Sequence, residues 1–110
     1  QGILEAQMEK MQRERYIRML RKKLSLKPEL HTCICLFKNL MINGDYVQAE
    51  EVLNMIDEKW HRREEFWLLK IQYLAEQKRG NELHESLRQM KEEHIYLSSK
   101  SKEALAFWLD

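Results

Sequence analysis

Histidine, cysteine and serine are the residues of this chain that could carry out chemistry, and their spacing decides what that chemistry is. His31 and Cys35 are four residues apart, so on a helix they share one face, as a pair of metal ligands would. Zinc sites usually use four ligands, or three and a water molecule, and the sequence offers no second histidine or cysteine cluster. The spacing therefore predicts ordinary cysteines and no bound metal.

Catalytic motifs find little support elsewhere in the chain. Ser99 and Lys102 match a Ser-x-x-Lys nucleophile motif, but their neighbours are typical of a helix start. The remaining histidines, His61, His84 and His94, form no His-Glu-x-x-His motif, and there is no glycine-rich phosphate loop. We therefore predict a protein that is not an enzyme, holds no cofactor and has no small-molecule substrate.

A basic cluster near the N-terminus is the candidate for contact with a phosphate backbone. Eight basic residues and one acid lie between positions 10 and 27. Arg15, Arg18, Arg21 and Lys22 are the candidate nucleic-acid contacts. Because the net charge is only +1 and the cluster contains a single aromatic residue, we favour a solvated face or an acidic protein partner over nucleic acid.

Apolar residues at helical spacing predict surfaces for another protein. Leu4, Met8 and Met11 share one face of the first predicted helix, and flexible methionines suit adaptable contacts. Phe107 and Trp108 belong to the last predicted helix, where a face without a neighbour stays open. These five residues are the predicted partner-binding surface, for a segment of another protein or for a second copy of this chain.

The elements that position these side chains are predicted to be helices throughout. Residues that favour helix dominate a chain of 110 residues with three glycines and one proline. We predict one domain over 1–110: a basic N-terminal helix over 1–26, hairpins over 29–59 and 62–94, and a terminal helix over 99–110. The fold class is all-α, with about six helices in antiparallel hairpins.

Apolar periodicity predicts which side chains face inwards and where the helices end. We expect the first helix to be continuous, the second helix of the first hairpin to cover 46–59, and Gly44 and Gly80 to end helices. In the N-terminal half, the inward residues are Tyr16, Leu20, Leu24, Leu30, Cys33, Ile34, Phe37, Leu40, Met41, Ala49, Val52, Leu53 and Ile56. In the C-terminal half, they are Phe66, Trp67, Leu69, Ile71, Tyr73, Leu74, Leu83, Leu87, Met90, His94, Ala104, Leu105, Trp108 and Leu109.

A spacing of about 34 residues relates the two hairpins, because Leu40 then matches Leu74 and Cys33 matches Trp67. The segment 36–53, with its Gly-Asp-Tyr turn and Ala49 at the close-packing position, resembles a tetratricopeptide (TPR) unit. That resemblance implies TPR-like right-handed stacking of hairpins and a protein-binding function. The needle-subunit co-chaperones of type III secretion have a similar turn and give an alternative function.

A second resemblance covers residues 66–80, Phe-Trp-Leu-Leu-Lys-Ile-Gln-Tyr-Leu-Ala-Glu-Gln-Lys-Arg-Gly, together with Lys100, Ser101, Leu105 and Trp108. These residues are similar to the protein-binding SIX domain of the sine oculis transcription factors. The resemblance implies a domain that binds co-regulators in a transcription regulator. The segment between the two matching parts is shorter and more acidic here than in that family.

Taken together, these features predict a non-catalytic protein–protein interaction module, a scaffold or transcription-regulator domain that binds a partner helix or a second copy of itself. Nucleic-acid binding by the basic helix is a further alternative. Cys33 and Cys35 point in different directions on a helix, so they form no disulfide, and a reducing intracellular location, nuclear or cytoplasmic, is expected. No apolar run is long enough to span a bilayer, so we expect no membrane partner.

Overall fold

The computed structural model describes the backbone of residues 2–109 and the side chains of residues 2–106. Over this part of the chain the fold is all-α, without strands, as predicted. The helices are α1 (Ile3–Leu26), α2 (Leu30–Ile42), α3 (Tyr46–Asn54), α4 (Glu64–Glu76), α5 (Gly80–Glu92) and α6 (Ser99–Leu109). They belong to two compact units, divided between Ile56 and Asp57. The single domain over 1–110 stays a prediction.

In the first unit, α2 packs against both α1 and α3. Helix α1 is continuous, as predicted, and its packed face consists of Ile17, Leu20 and Leu24. Tyr16 was wrongly expected on that face; it is 40% exposed, because it lies about 100° around the helix from Ile17, at the edge of the packed face.

The buried face of α2 is also turned relative to the prediction. Thr32 and Leu36 are buried, whereas Ile34 and Met41 are only half-buried. Contact with helices on two sides rotates the buried face towards Thr32 and Leu36. The other predicted core residues of this unit are buried: Leu30, Cys33, Phe37, Leu40, Ala49, Val52, Leu53 and Ile56.

Helix α3 ends earlier than predicted, at Asn54 and not at position 59. A short 3-10 helix, Glu58–Trp60, follows it. The Asp57 carboxylate accepts a hydrogen bond from the backbone N–H of Lys59 at 2.9 Å. A local side-chain hydrogen bond of this kind offers the backbone an alternative to the α-helix. The prediction missed it because the apolar spacing continues through Ile56.

Three helices, α2, α4 and α5, end in the same type of turn. A residue in the left-handed conformation follows each helix: Gly44 at φ 80°, Lys78 at φ 57° and His94 at φ 57°. This residue and the next one donate backbone hydrogen bonds to carbonyls of the last helical turn, which is a Schellman turn. Gly44 was predicted in this role. Gly80, however, begins α5, and Lys78 takes the left-handed conformation.

The spacing of 34 residues recurs in the helix bounds. Helix α4 begins and ends 34 positions after α2, and α5 begins 34 positions after α3. Burial recurs as well, at positions 33, 67 and 101 and at positions 37, 71 and 105. Each of the first two periods therefore contains a helix, a Schellman turn and a second helix that packs on the first. TPR-like right-handed stacking stays a prediction.

In the second unit, α4 packs against α5 and α6. All six residues predicted to be buried on α4 are buried: Phe66, Trp67, Leu69, Ile71, Tyr73 and Leu74. On α5, Ser86 and Met90 are buried, and the predicted Leu83 and Leu87 are half-buried. His94 was wrongly placed in this stripe, because α5 ends before it and leaves its side chain exposed.

The start of α6 is tied to α4. The hydroxyl of Ser98, just before the helix, accepts the backbone N–H of Ser101 at 3.2 Å. The backbone N–H of Ser98 donates to the Glu64 carboxylate at 2.7 Å. That hydrogen bond holds the pKa of Glu64 below its ordinary value. On α6, Leu105 is buried, but Ala104, which was predicted to face inwards, is exposed. The predicted inward side chains of Trp108 and Leu109 lie outside the described residues.

Candidate partner-binding surface

The predicted surface on α1 is exposed to solvent in the structure. Leu4, Met8 and Met11 are 69%, 52% and 58% exposed. On a helix that turns by about 100° per residue, they lie on the side opposite the packed residue Leu24. Because α1 packs within its own unit through a different face, these three side chains are accessible to a partner.

Sequence reasoning missed the continuation of this surface along the rest of α1. Met19 and Leu26 are 54% and 79% exposed and lie on the same side as Met8. Arg15, between Met11 and Met19, and Lys22, between Met19 and Leu26, are also exposed on this side. We call this set the outer stripe: Leu4, Met8, Met11, Arg15, Met19, Lys22 and Leu26. It spans an arc of only about 80° at the usual helical rotation.

A spacing signal for the outer stripe was present in the sequence. Its members follow each other at intervals of four, three and four residues, and this pattern of 11 residues repeats once from Arg15 to Leu26. Such a repeat keeps one face of a helix aligned with a partner helix when the two wind around each other with a slight right-handed supercoil. The signal was overlooked because two of the seven positions carry charged residues.

The first part of α1 is exposed to solvent along its whole length. Every residue from Ile3 to Gln12 is exposed, whereas α1 contributes buried residues only from Ile17 onwards. Gly2 at the N-cap provides no side-chain hydrogen bond to the helix. A helical segment this short is marginally stable in water by itself. Contact with another helix would stabilise it.

The four candidate nucleic-acid residues do not form one surface. Arg15, Arg18 and Lys22 are exposed, with Arg15 and Lys22 on the outer stripe and Arg18 at its edge. Arg21 is also exposed, but its guanidinium donates to Gln48 Oε1 on α3 at 2.7 Å. Arg21 therefore contacts α3 of its own unit through the neutral side chain of Gln48 and is directed away from the outer stripe.

Phe107 and Trp108, the other two predicted partner-binding residues, have side chains that lie outside the described residues. Among the described residues, an open groove of about 520 Å³ lies between α5 and α6. Met90, Ile95 and Ala106 give it apolar walls, and Lys91 and Lys102 also line it. It is a second apolar surface, located in the second unit.

The His31–Cys35 pair has the geometry of a weak hydrogen bond, with 3.6 Å between Nε2 and Sγ. Tyr16 of α1 also contacts Cys35, and the charge of the Cys35 thiolate raises the pKa of the Tyr16 hydroxyl. Burial raises the pKa of Cys33, which makes its thiol less reactive. Within the described side chains, no three His, Cys, Asp or Glu residues are grouped to hold a metal ion.

No protein-family model, curated protein or solved structure matches this chain. Among the residues that the structure describes, no helix is both long enough and apolar enough to cross a membrane. The tetratricopeptide and SIX resemblances therefore stay predictions, and the interpretation of the outer stripe depends on its own residues.

Proposed function

We propose that this chain is a non-catalytic protein–protein interaction module, and that the outer stripe of α1 binds a helix of its partner. The observation that carries this proposal is the exposure of five large apolar side chains on the solvent side of one helix. Burying a leucine or methionine contributes about 1.5–3 kcal/mol before the costs of ordering are subtracted. Several such residues in one row are sufficient for a specific contact.

The shape of the outer stripe favours a helix as the occupant. The stripe is narrow and runs the length of α1, with a spacing that returns to the same side after every third helical turn. A partner helix lying along α1 would contact all seven positions, as in helix pairs that associate through a regular apolar seam. The SIX resemblance supports a scaffold or transcription-regulator role, and a secretion co-chaperone is the alternative.

Site-specific photo-cross-linking in the full chain tests the proposal. A benzophenone amino acid placed at Met8 or at Met11 should form cross-links to the same partner. The matched control is Val47 on α3, which is 76% exposed and apolar but lies outside the outer stripe. Leu4→Asp should abolish the cross-links at both stripe positions. Equal yields from Val47 and from the stripe positions would show that α1 has no special role in binding.

A further inference from the structure

We propose that the partner helix is α1 of a second copy of this chain, running antiparallel, with Arg15 at the centre of the pair. This inference rests on the proposed function, because it names the occupant of the outer stripe. It is carried by the order of apolar residues along α1 and by the distribution of charge between the two halves of the helix.

The outer stripe is complementary to itself in one antiparallel register. In that register, residues whose numbers add up to 30 lie opposite each other. Leu4 then lies against Leu26 of the second copy. Because the pair is symmetric, this contact forms twice, once at each end. Met11 and Met19 make the second apolar pair. Lys22 lies against Met8, where its aliphatic stem can cover the thioether while its charge remains in water.

Charge distinguishes the antiparallel arrangement from the parallel one. Residues 3–14 contain three acids and two basic residues, whereas residues 15–26 contain five basic residues and no acid. A parallel pair would place two strongly basic halves side by side. The antiparallel pair places each basic half beside the half that holds every acid of α1, and it brings Glu5 near Lys23 and Glu14 near Arg18 of the second copy.

The length of α1 and the spacing of its outer stripe suit this pairing. The helix has 24 residues and extends about 36 Å at the usual rise per residue. The 11-residue spacing keeps the outer stripes of two helices in contact along that length when the helices wind around each other with a slight right-handed supercoil. The segment from Ile3 to Gln12, every residue of which is exposed, would then pack against the second half of the partner α1.

The meeting of two Arg15 side chains at the centre is the one unfavourable element of the register. Two guanidinium groups of like charge weaken the pair. This gives the proposal a distinctive consequence: Arg15→Leu should tighten the dimer at least about tenfold, which is a modest difference in binding free energy. Binding of an unrelated acidic partner would respond in the opposite direction, because it would lose a favourable charge.

Sedimentation equilibrium of the full chain, from about 1 μM to about 500 μM, covers the affinities expected of a weak pair. A monomer–dimer equilibrium is the expected result, tightened by Arg15→Leu and abolished by Met11→Asp. Val47→Asp, on the exposed side of α3, is the matched control and should leave the equilibrium unchanged. Monomers at every concentration, for both the natural chain and Arg15→Leu, would overturn the inference.

Cysteine cross-linking tests the register. A mixture of Met11→Cys and Met19→Cys chains should form the mixed disulfide in preference to either symmetric one, and the unsubstituted chain measures the background from Cys33 and Cys35. A dominant symmetric disulfide of Met11→Cys would mean parallel helices and would contradict the inference. Photo-cross-links from Met8 to a different protein, with a monomeric chain, would retain the proposed function and refute the second copy. If neither the mixed disulfide nor a photo-cross-link from Met8 forms, both the proposed function and the second copy as partner are refuted.

Discussion

At the scale of single residues, Thr32 shows how packing overrides side-chain polarity. It is 1% exposed, and its hydroxyl has no hydrogen-bond partner among the described residues. The sequence did not predict its burial, because threonine is mostly a surface residue and Ile34 is more apolar. Thr32 is buried because α2 contacts helices on two sides. The number and spacing of apolar residues along α2 alone do not reveal these two contacts.

Thr32→Val should therefore increase the free energy of unfolding by about 1 kcal/mol, since it removes a buried hydroxyl that lacks a partner and keeps the shape of the side chain. Urea unfolding followed by circular dichroism measures the change. Thr32→Ser is the control: it keeps the hydroxyl, removes a buried methyl group and should lower stability. A valine variant less stable than the natural chain would mean that the hydroxyl is hydrogen-bonded.

At the scale of elements, the helices were easier to predict than their ends. Gly44 was identified because glycine is the usual residue in the left-handed position of a Schellman turn. Lys78 was not identified, because lysine is a good helix former and nothing local marks it as the end of α4. Its position becomes clear only from the recurrence of the α2 turn 34 residues later.

The two turns should respond oppositely to substitution. Gly44→Ala should lower the free energy of unfolding by about 1 kcal/mol, because a side chain disfavours the left-handed conformation. An added methyl group at this position meets no atom within 4 Å, so the effect is conformational and not steric. Lys78→Gly should raise stability by a similar amount. Thermal unfolding of both variants measures this, and equal signs would contradict the turn geometry.

At the scale of the whole molecule, the all-α class could be predicted from composition and periodicity, as could most buried positions of α2, α3 and α4. The rest could not, for physical reasons. The outer stripe includes Arg15 and Lys22, and these two charged residues interrupt the apolar pattern by which such a stripe is recognised in a sequence. After the end of α3, the Asp57 carboxylate accepts a hydrogen bond from Lys59 at the start of a 3-10 helix, and a count of apolar residues does not detect such a contact.

The net charge of the whole chain predicts weak binding to duplex DNA. With +1 overall and Arg21 donating to Gln48, the chain should bind duplex DNA no more tightly than about 10⁻⁴–10⁻⁶ M at physiological salt, the usual non-specific range. Fluorescence anisotropy with a labelled duplex measures this across salt concentrations. Much tighter binding, lost in Arg18→Glu, would favour the nucleic-acid interpretation of α1 over the protein-binding one.

The exposed first three turns of α1 have a consequence for the rate at which proteases degrade the chain. Local unfolding of a helical segment that buries no side chain costs little free energy, and a protease cleaves a segment when it is unfolded. Occupation of the outer stripe would suppress that opening. Copies that have found a partner would then persist, and solitary copies would be degraded first, which couples the turnover of the protein to its state of assembly.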